Sequence, residues 1–179
     1  ATIIRPSIVY SVDDNFTTNF MTLLNRLPIF PLYYEGKTKF APIHCSDLTD
    51  VIFNVISNNV NSKIIECVGP EIISFKEILE KLLNLIGKKR LLIPMPLPIA
   101  QMSARFFEIM PKPLLTRDQL KLLKYDNVLS GKYKSNSDIG IPSLRYFDEE
   151  VKKYCYMWRE GGQFSTEKYN SDNIDIKTS

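Results

Sequence analysis

The chain holds a single histidine, His44, and three cysteines, Cys45, Cys67 and Cys155, none of them in a Cys-x-x-Cys pair. A zinc site or a Cys/His dyad would have to be built around that one imidazole. The thiols therefore read as buried, reduced groups of a reducing compartment. Cys45 follows His44 directly, but neighbours in a strand point to opposite faces, so His44 reads as a core or hydrogen-bonded residue. A large excess of one sign of charge is also lacking: 23 Lys and Arg face 20 Asp and Glu, a net charge of +3. No basic stripe is interleaved with aromatics, and Lys88-Lys89-Arg90 is a short run that reads as a solvated turn, so nucleic acid is not indicated as a partner. No apolar run reaches the roughly 18–20 residues that a membrane span needs.

What is present is ordinary for a globular protein: 44% hydrophobic and 24% charged residues in a chain of 179, long enough for one domain with a sizeable core. Residues 1–16, ATIIRPSIVYSVDDNF, read as a central strand running straight into a helix. Phe16, Phe20, Leu23, Leu24 and Leu27 then recur at helical spacing, and Pro28 ends that helix. FPLYYEGKTKFAPIHCSDL predicts a hairpin-like extended stretch turning at Glu35-Gly36-Lys37. Asp47 is placed to cap a helix with Leu48, Val51, Ile52, Val55 and Ile56 on its apolar face. KIIECVG is a short strand. Ser74 and Glu77 form a capping box, followed by Phe75, Ile78, Leu79, Leu82 and Ile86 on one face, with Gly87 placed to stop the helix.

RLLIPMPLP is extended, and its prolines forbid a central strand. Pro98 suits the first turn of a helix carrying Ile99, Met102, Phe106 and Ile109. That Met- and Phe-rich helix reads as core of a small domain before it reads as a surface for a quinone, a lipid or another subunit. Thr116 is a plausible cap for a further helix, and Asp126-Asn127 is a turn signal. A last helix carries Phe147, Val151, Tyr154, Cys155 and Trp158, and the chain closes in a polar tail. Strands alternating with amphipathic helices indicate α/β, yet few of the strands suit a parallel sheet, which predicts that further strands precede this chain.

RPSIVY followed by a helix, then FAPIHCSDL some thirty residues later, resembles the second half of the extended short-chain dehydrogenase/reductase family, the NAD-dependent epimerase/dehydratase type. The segments PLLTRDQLKLLKYDNVLS, DIGI and YMWREGGQF narrow the likeness. They resemble the dehydrogenase-like accessory subunit of respiratory complex I (NADH:ubiquinone oxidoreductase) and its alphaproteobacterial relatives.

The resemblance implies the C-terminal portion of a Rossmann-like parallel sheet plus a small, mostly helical second domain. Residues 1–68 would end the nucleotide-binding domain, 69–160 would form the helical substrate or interaction domain, and 161–179 would be a tail. It also implies NADP(H) or NAD(H), contacted by Pro6, Ser7, Ile8 and Val9 at the end of the first strand, largely through backbone and apolar contact. The family's G-x-x-G-x-x-G phosphate loop, in which glycines let the backbone approach the pyrophosphate at a helix N-terminus, is not among these residues: the seven glycines give no such spacing. Where sugar-nucleotide members often carry a substrate-binding Asn, this chain has Ile8, and where the family has Gly after the strand it has Ser11.

Tyr33 and Lys37 match Y-x-x-x-K, the spacing by which a helix sets a lysine one turn from a catalytic tyrosine. Here the spacing contains Gly36, lies in an extended, proline-flanked stretch, and follows the RP strand, whereas the family's pair precedes it, so no catalytic role is assigned. The function expected from the resemblance is a nucleotide-binding accessory subunit of, or relative of, complex I, with the cofactor structural. The alternative is an active oxidoreductase or isomerase, in quinone metabolism for example, with its Tyr–Lys pair upstream. The implied partners are the N-terminal half of the same protein and complex I subunits. The Lys-, Asn- and Ile-rich composition hints at a bacterial source. The location would then be cytoplasmic, at the periphery of the inner membrane, or the matrix side of the mitochondrial membrane in a eukaryote.

Overall fold

A computed structural model describes residues 1–60, 64–95 and 123–162. The first strand arrives in two pieces, β1 (Ile3–Pro6) and β2 (Val9–Tyr10). The Asp14 carboxylate then accepts from the amides of Phe16 and Thr17 and opens α1 (Thr17–Arg26). Leu27 is extended at φ −94°, ψ 128°. That is where a residue ahead of proline is driven, so Pro28 stops the helix as its position predicts.

β3 (Ile29–Tyr33) follows, then a turn at Tyr34–Gly36 and the two-residue β4 (Lys39–Phe40). The turn falls where the sequence puts it, but no hairpin forms. β3 pairs in parallel with β8 (Leu91–Met95) over five matched positions, and β4 pairs antiparallel with β7 (Ile73–Ser74). A two-residue β4 offers too few ladder bonds to compete for the edge of β3. Tyr34, Glu35 and Gly36, all at positive φ, carry the chain away instead of back. β8 contains Pro94 and is paired on one side only among the described residues, as its prolines require.

β5 (Ile43–His44) leads directly into α2 (Cys45–Ser57). Here the expected cap is wrong. The helix starts three residues earlier than Leu48, and its N-cap is His44, whose Nδ1 accepts from the Ser46 amide at 3.3 Å. Asp47 is inside the first turn, and its buried carboxylate turns to Arg145, accepting from that residue's backbone N–H at 3.2 Å and from its guanidinium. Two donors, one of them charged, hold a carboxylate better than a single helix amide does.

The second predicted cap is as expected. Ahead of α3 (Phe75–Leu85), Ser74 Oγ accepts from the Glu77 amide at 3.2 Å and Glu77 Oε2 accepts from the Ser74 amide at 2.6 Å. Gly87, at φ +67°, closes α3: its N–H reaches Asn84 O and that of Lys88 reaches Leu83 O. This is the reciprocal pair of bonds that a left-handed residue allows at a helix end.

β6 (Ile64–Cys67) lies between β1 and the short β9 (Lys134–Ser135), both parallel to it. The chain's last described elements are α4 (Phe147–Lys152) and a 3-10 turn at Cys155–Trp158, so the single closing helix of the sequence pattern breaks into two short pieces. The predicted helices around Ile99–Ile109 and beyond Thr116, and the tail past residue 162, lie outside the described residues.

Two clusters of apolar side chains result. The larger joins α1, β3, α3 and α4 through Phe20, Leu24, Phe30, Leu79, Leu82, Phe147 and Val151. Edge-to-face rings thread it, Phe16 to Phe20 and Phe20 to both Phe30 and Phe75. The smaller packs α2 on β1 and β6 through Ile43, Val51, Ile65 and Cys67, with Ile4 and Val9 against it.

Candidate functional site

The residues of interest lie where the first strand changes partner. β1 runs along β6 in register Ile3↔Ile64 to Pro6↔Cys67, and β2 runs along β5 in register Val9↔Ile43 and Tyr10↔His44. Between them the Ser7 amide still donates to Cys67 O at 2.9 Å, whereas the next carbonyl, Ile8 O, already accepts from the Ile43 amide at 2.9 Å. The switch falls at a proline because Pro6 brings no N–H to a ladder.

A segment from the other end of the chain closes over this junction. Asn127 exchanges backbone bonds with β4, its N–H to Lys39 O and its carbonyl from the Ala41 amide, and Asp126 Oδ1 accepts from the Lys39 amide. Ser7 is the pin. Its hydroxyl donates to Asn127 O at 2.8 Å and accepts from the Ala41 amide at 3.3 Å, with the residue almost fully buried. These contacts frame an open cleft of about 440 Å³ walled by residues 4–7, Glu66, Val68, Asn127 and Val128.

Of the four expected contact residues, Pro6 and Ser7 reach this cleft. Ile8 packs instead against the larger core and Val9 against the smaller. Glu66, Asn127 and Val128 were not identified from the sequence. Asp126-Asn127 carried only a turn signal, and nothing local shows that the turn would be laid across a strand more than a hundred residues earlier.

The electrostatics are quiet. The Glu66 carboxylate accepts from the Ser130 amide at 2.9 Å, and the Arg5 guanidinium lies 5.3 Å from the Tyr133 ring centre. Burial pushes the Cys67 thiol up to about 11, so it stays protonated and is no nucleophile at neutral pH. Tyr33 is buried in the larger core, while Lys37 is exposed and pairs with Glu35, so the Y-x-x-x-K spacing assembles no catalytic pair. For a dinucleotide these residues would supply at most a wall for a flat ring, made by Pro6 and backbone, since no glycine lines the cleft and the seven glycines give no phosphate-loop spacing.

A parallel pair of strands read at its carboxyl ends, with helices packed behind, is the arrangement of open α/β nucleotide-binding sheets. Solved structures share the fold. The chain superposes on the dTDP-glucose 4,6-dehydratase of Bacillus anthracis, solved in complex with NAD, at a TM-score of 0.56 and 13% identity. The match covers 88% of this chain and 43% of that one. The chain therefore shares the fold of that dehydratase over most of its length. The UDP-glucose 4-epimerase of Thermus thermophilus, also with NAD, shares the fold at a TM-score of 0.57 and 12% identity, over 88% of this chain and 46% of its own.

Among curated proteins, the mitochondrial NADH dehydrogenase [ubiquinone] 1 alpha subcomplex subunit 9 of Arabidopsis thaliana is 24% identical over 173 residues, which is 90% of this chain and 43% of that protein. Its counterpart from Dictyostelium discoideum is 27% identical over 84 residues, 46% of this chain and 23% of that protein. No protein-family model matches. The chain thus spans less than half the length of the curated relatives it matches, and none of its described helices is long and apolar enough to cross a membrane.

Proposed function

We propose that this chain is part of a nucleotide-binding accessory subunit of, or related to, NADH:ubiquinone oxidoreductase, with NADP(H) or NAD(H) held as a structural group. The observation that carries the reading is the alignment of nine-tenths of the chain with subunit 9 of the alpha subcomplex, on a dehydrogenase fold. Pro6 and Ser7 would face the nicotinamide end of the dinucleotide, and Ile8 and Val9 would support them from behind. The pyrophosphate and adenosine would be held by the remaining, N-terminal part of a protein as long as the relatives. That part would also cover the sheet. Ile3 is about half exposed, and Ile4, Ile8 and Val9 are only half-buried, whereas strands of a parallel sheet are covered on both faces. The setting would be the periphery of the membrane that holds the oxidoreductase.

The test is to tag the full-length protein in its own organism, solubilise membranes in mild detergent and run native gels. The tag should migrate with NADH:ubiquinone oxidoreductase activity, and the purified protein should release about one dinucleotide per chain on denaturation, without having reduced or oxidised it. A protein found only outside that complex would overturn the proposal. So would one that turns its nucleotide over with a small-molecule substrate, which is the behaviour of an enzyme.

A further inference from the structure

His44 is held by two groups that want different protonation states. Its Nδ1 accepts from the Ser46 amide as the cap of α2, which requires a lone pair there and puts the ring proton of the neutral form on Nε2. Nε2 in turn faces Glu150 Oε2 on α4 at 3.9 Å, and both side chains are only 13–14% exposed. The other charged or titratable groups around the ring are Tyr10 on β2, edge-on at 5.3 Å between ring centres, Asp47 on α2, Arg145 ahead of α4 and Lys153 just after it, whose Nζ already pairs with Glu150 Oε2 at 2.6 Å, so that a charged His44 would share that carboxylate.

We propose that His44 is a two-position proton switch. Neutral, it caps α2 through Nδ1. Protonated, it gives up that cap and forms an ion pair with Glu150 that clamps α4 onto the β5–α2 junction. A second ring proton can go only on Nδ1, where it meets the Ser46 N–H and the positive end of α2. The same proton strengthens the attraction across to Glu150. The junction registers with β2, His44 opposite Tyr10 and Ile43 opposite Val9, just beyond the Pro6–Ser7 wall of the cleft.

The balance in the folded protein favours the cap. Burial holds the imidazole below its ordinary value, with Glu150 pulling the other way. A histidine with a depressed folded value contributes stability that is complete above its unfolded value and is lost as pH falls through the folded one.

The experiment is long-range proton–nitrogen NMR of the full-length protein, with the His44 signals identified by their loss in His44→Asn, whose side chain can still cap but cannot titrate. At about pH 8 the ring should be the Nε2–H form, and on acidification it should titrate below an unperturbed histidine. Glu150→Gln should lower the midpoint further. The loss of melting temperature between about pH 7 and pH 5 should be smaller in His44→Asn than in the parent. A Nδ1–H ring at high pH, a midpoint that Glu150→Gln leaves in place, or equal pH profiles for His44→Asn and parent would each overturn the switch. If His44→Asn does not fold, the His44 signals are identified instead by their coupling to the Ser46 amide, and the tautomer and the Glu150→Gln shift still decide.

Discussion

Ser74 and Asp47 are both short polar side chains near the start of a helix, and they end with different partners. Ser74 stands one residue before α3 with Glu77 three residues on, so its partner is dictated by local sequence. Hydrogen bonds from the Ser74 backbone and side chain hold the Glu77 carboxyl below its usual range. Asp47 is taken by Arg145, nearly a hundred residues away, a partner that no local pattern announces. Replacing Ser74 with Ala should therefore cost about 1 kcal/mol in urea denaturation, with the slope unchanged. A change below a few tenths would mean that Glu77 is satisfied without the serine.

Among the described glycines, the closest backbone approach is at Gly69, just past the end of β6. Its N–H donates to Ala41 O at 3.0 Å, and a Cβ built there would lie 1.7 Å from Pro42 O. Both groups are backbone, so neither can rotate aside. The link between β4 and β5 would have to move, and with it the ladder that sets Ile43 beside Val9. Gly69→Ala should destabilise by about 1–3 kcal/mol or more, and lower the melting temperature further than Ser74→Ala does. Equal melting temperatures for the two variants would show that the crossing is loose. The same reasoning explains β3 and β8: the hairpin expected from the turn residues yields to a longer parallel partner, because five matched positions outweigh two.

At the scale of the molecule, the end of the chain holds its beginning. Tyr154 OH and Thr17 Oγ1 share a buried hydrogen bond of 2.9 Å, and Trp158 Nε1 donates to Thr22 Oγ1 at 2.9 Å, both onto α1. Lys81 joins Glu71 and Asp148, and Glu71 Oε1 accepts from the Phe147 amide, which fastens α4 to α3. The cleft lies away from these ties, and no glycine lines it. Residues 1–179 by themselves should accordingly bind NADH or NADPH weakly. Titration calorimetry should find no dissociation constant at or below the micromolar range, and a tight one would show that the pyrophosphate is held without a glycine loop.

Sequence by itself determined what depends on near neighbours: the helical faces of α1 and α3, the capping box, Gly87 as a stop, Pro28 as a terminator, and the strand–helix alternation that makes the chain α/β. The RP strand and the C-terminal segments pointed to the same fold that the solved structures share. Only tertiary structure decided which strand lies beside which, where Asp47 turns, why His44 rather than Asp47 caps α2, and that residues 126–128 complete the cleft. Periodicity and capping act over one or two turns and can be read along the chain. Pairing and long-range ion pairs are competitions among distant partners, settled by how many bonds each can make once the core has brought them together.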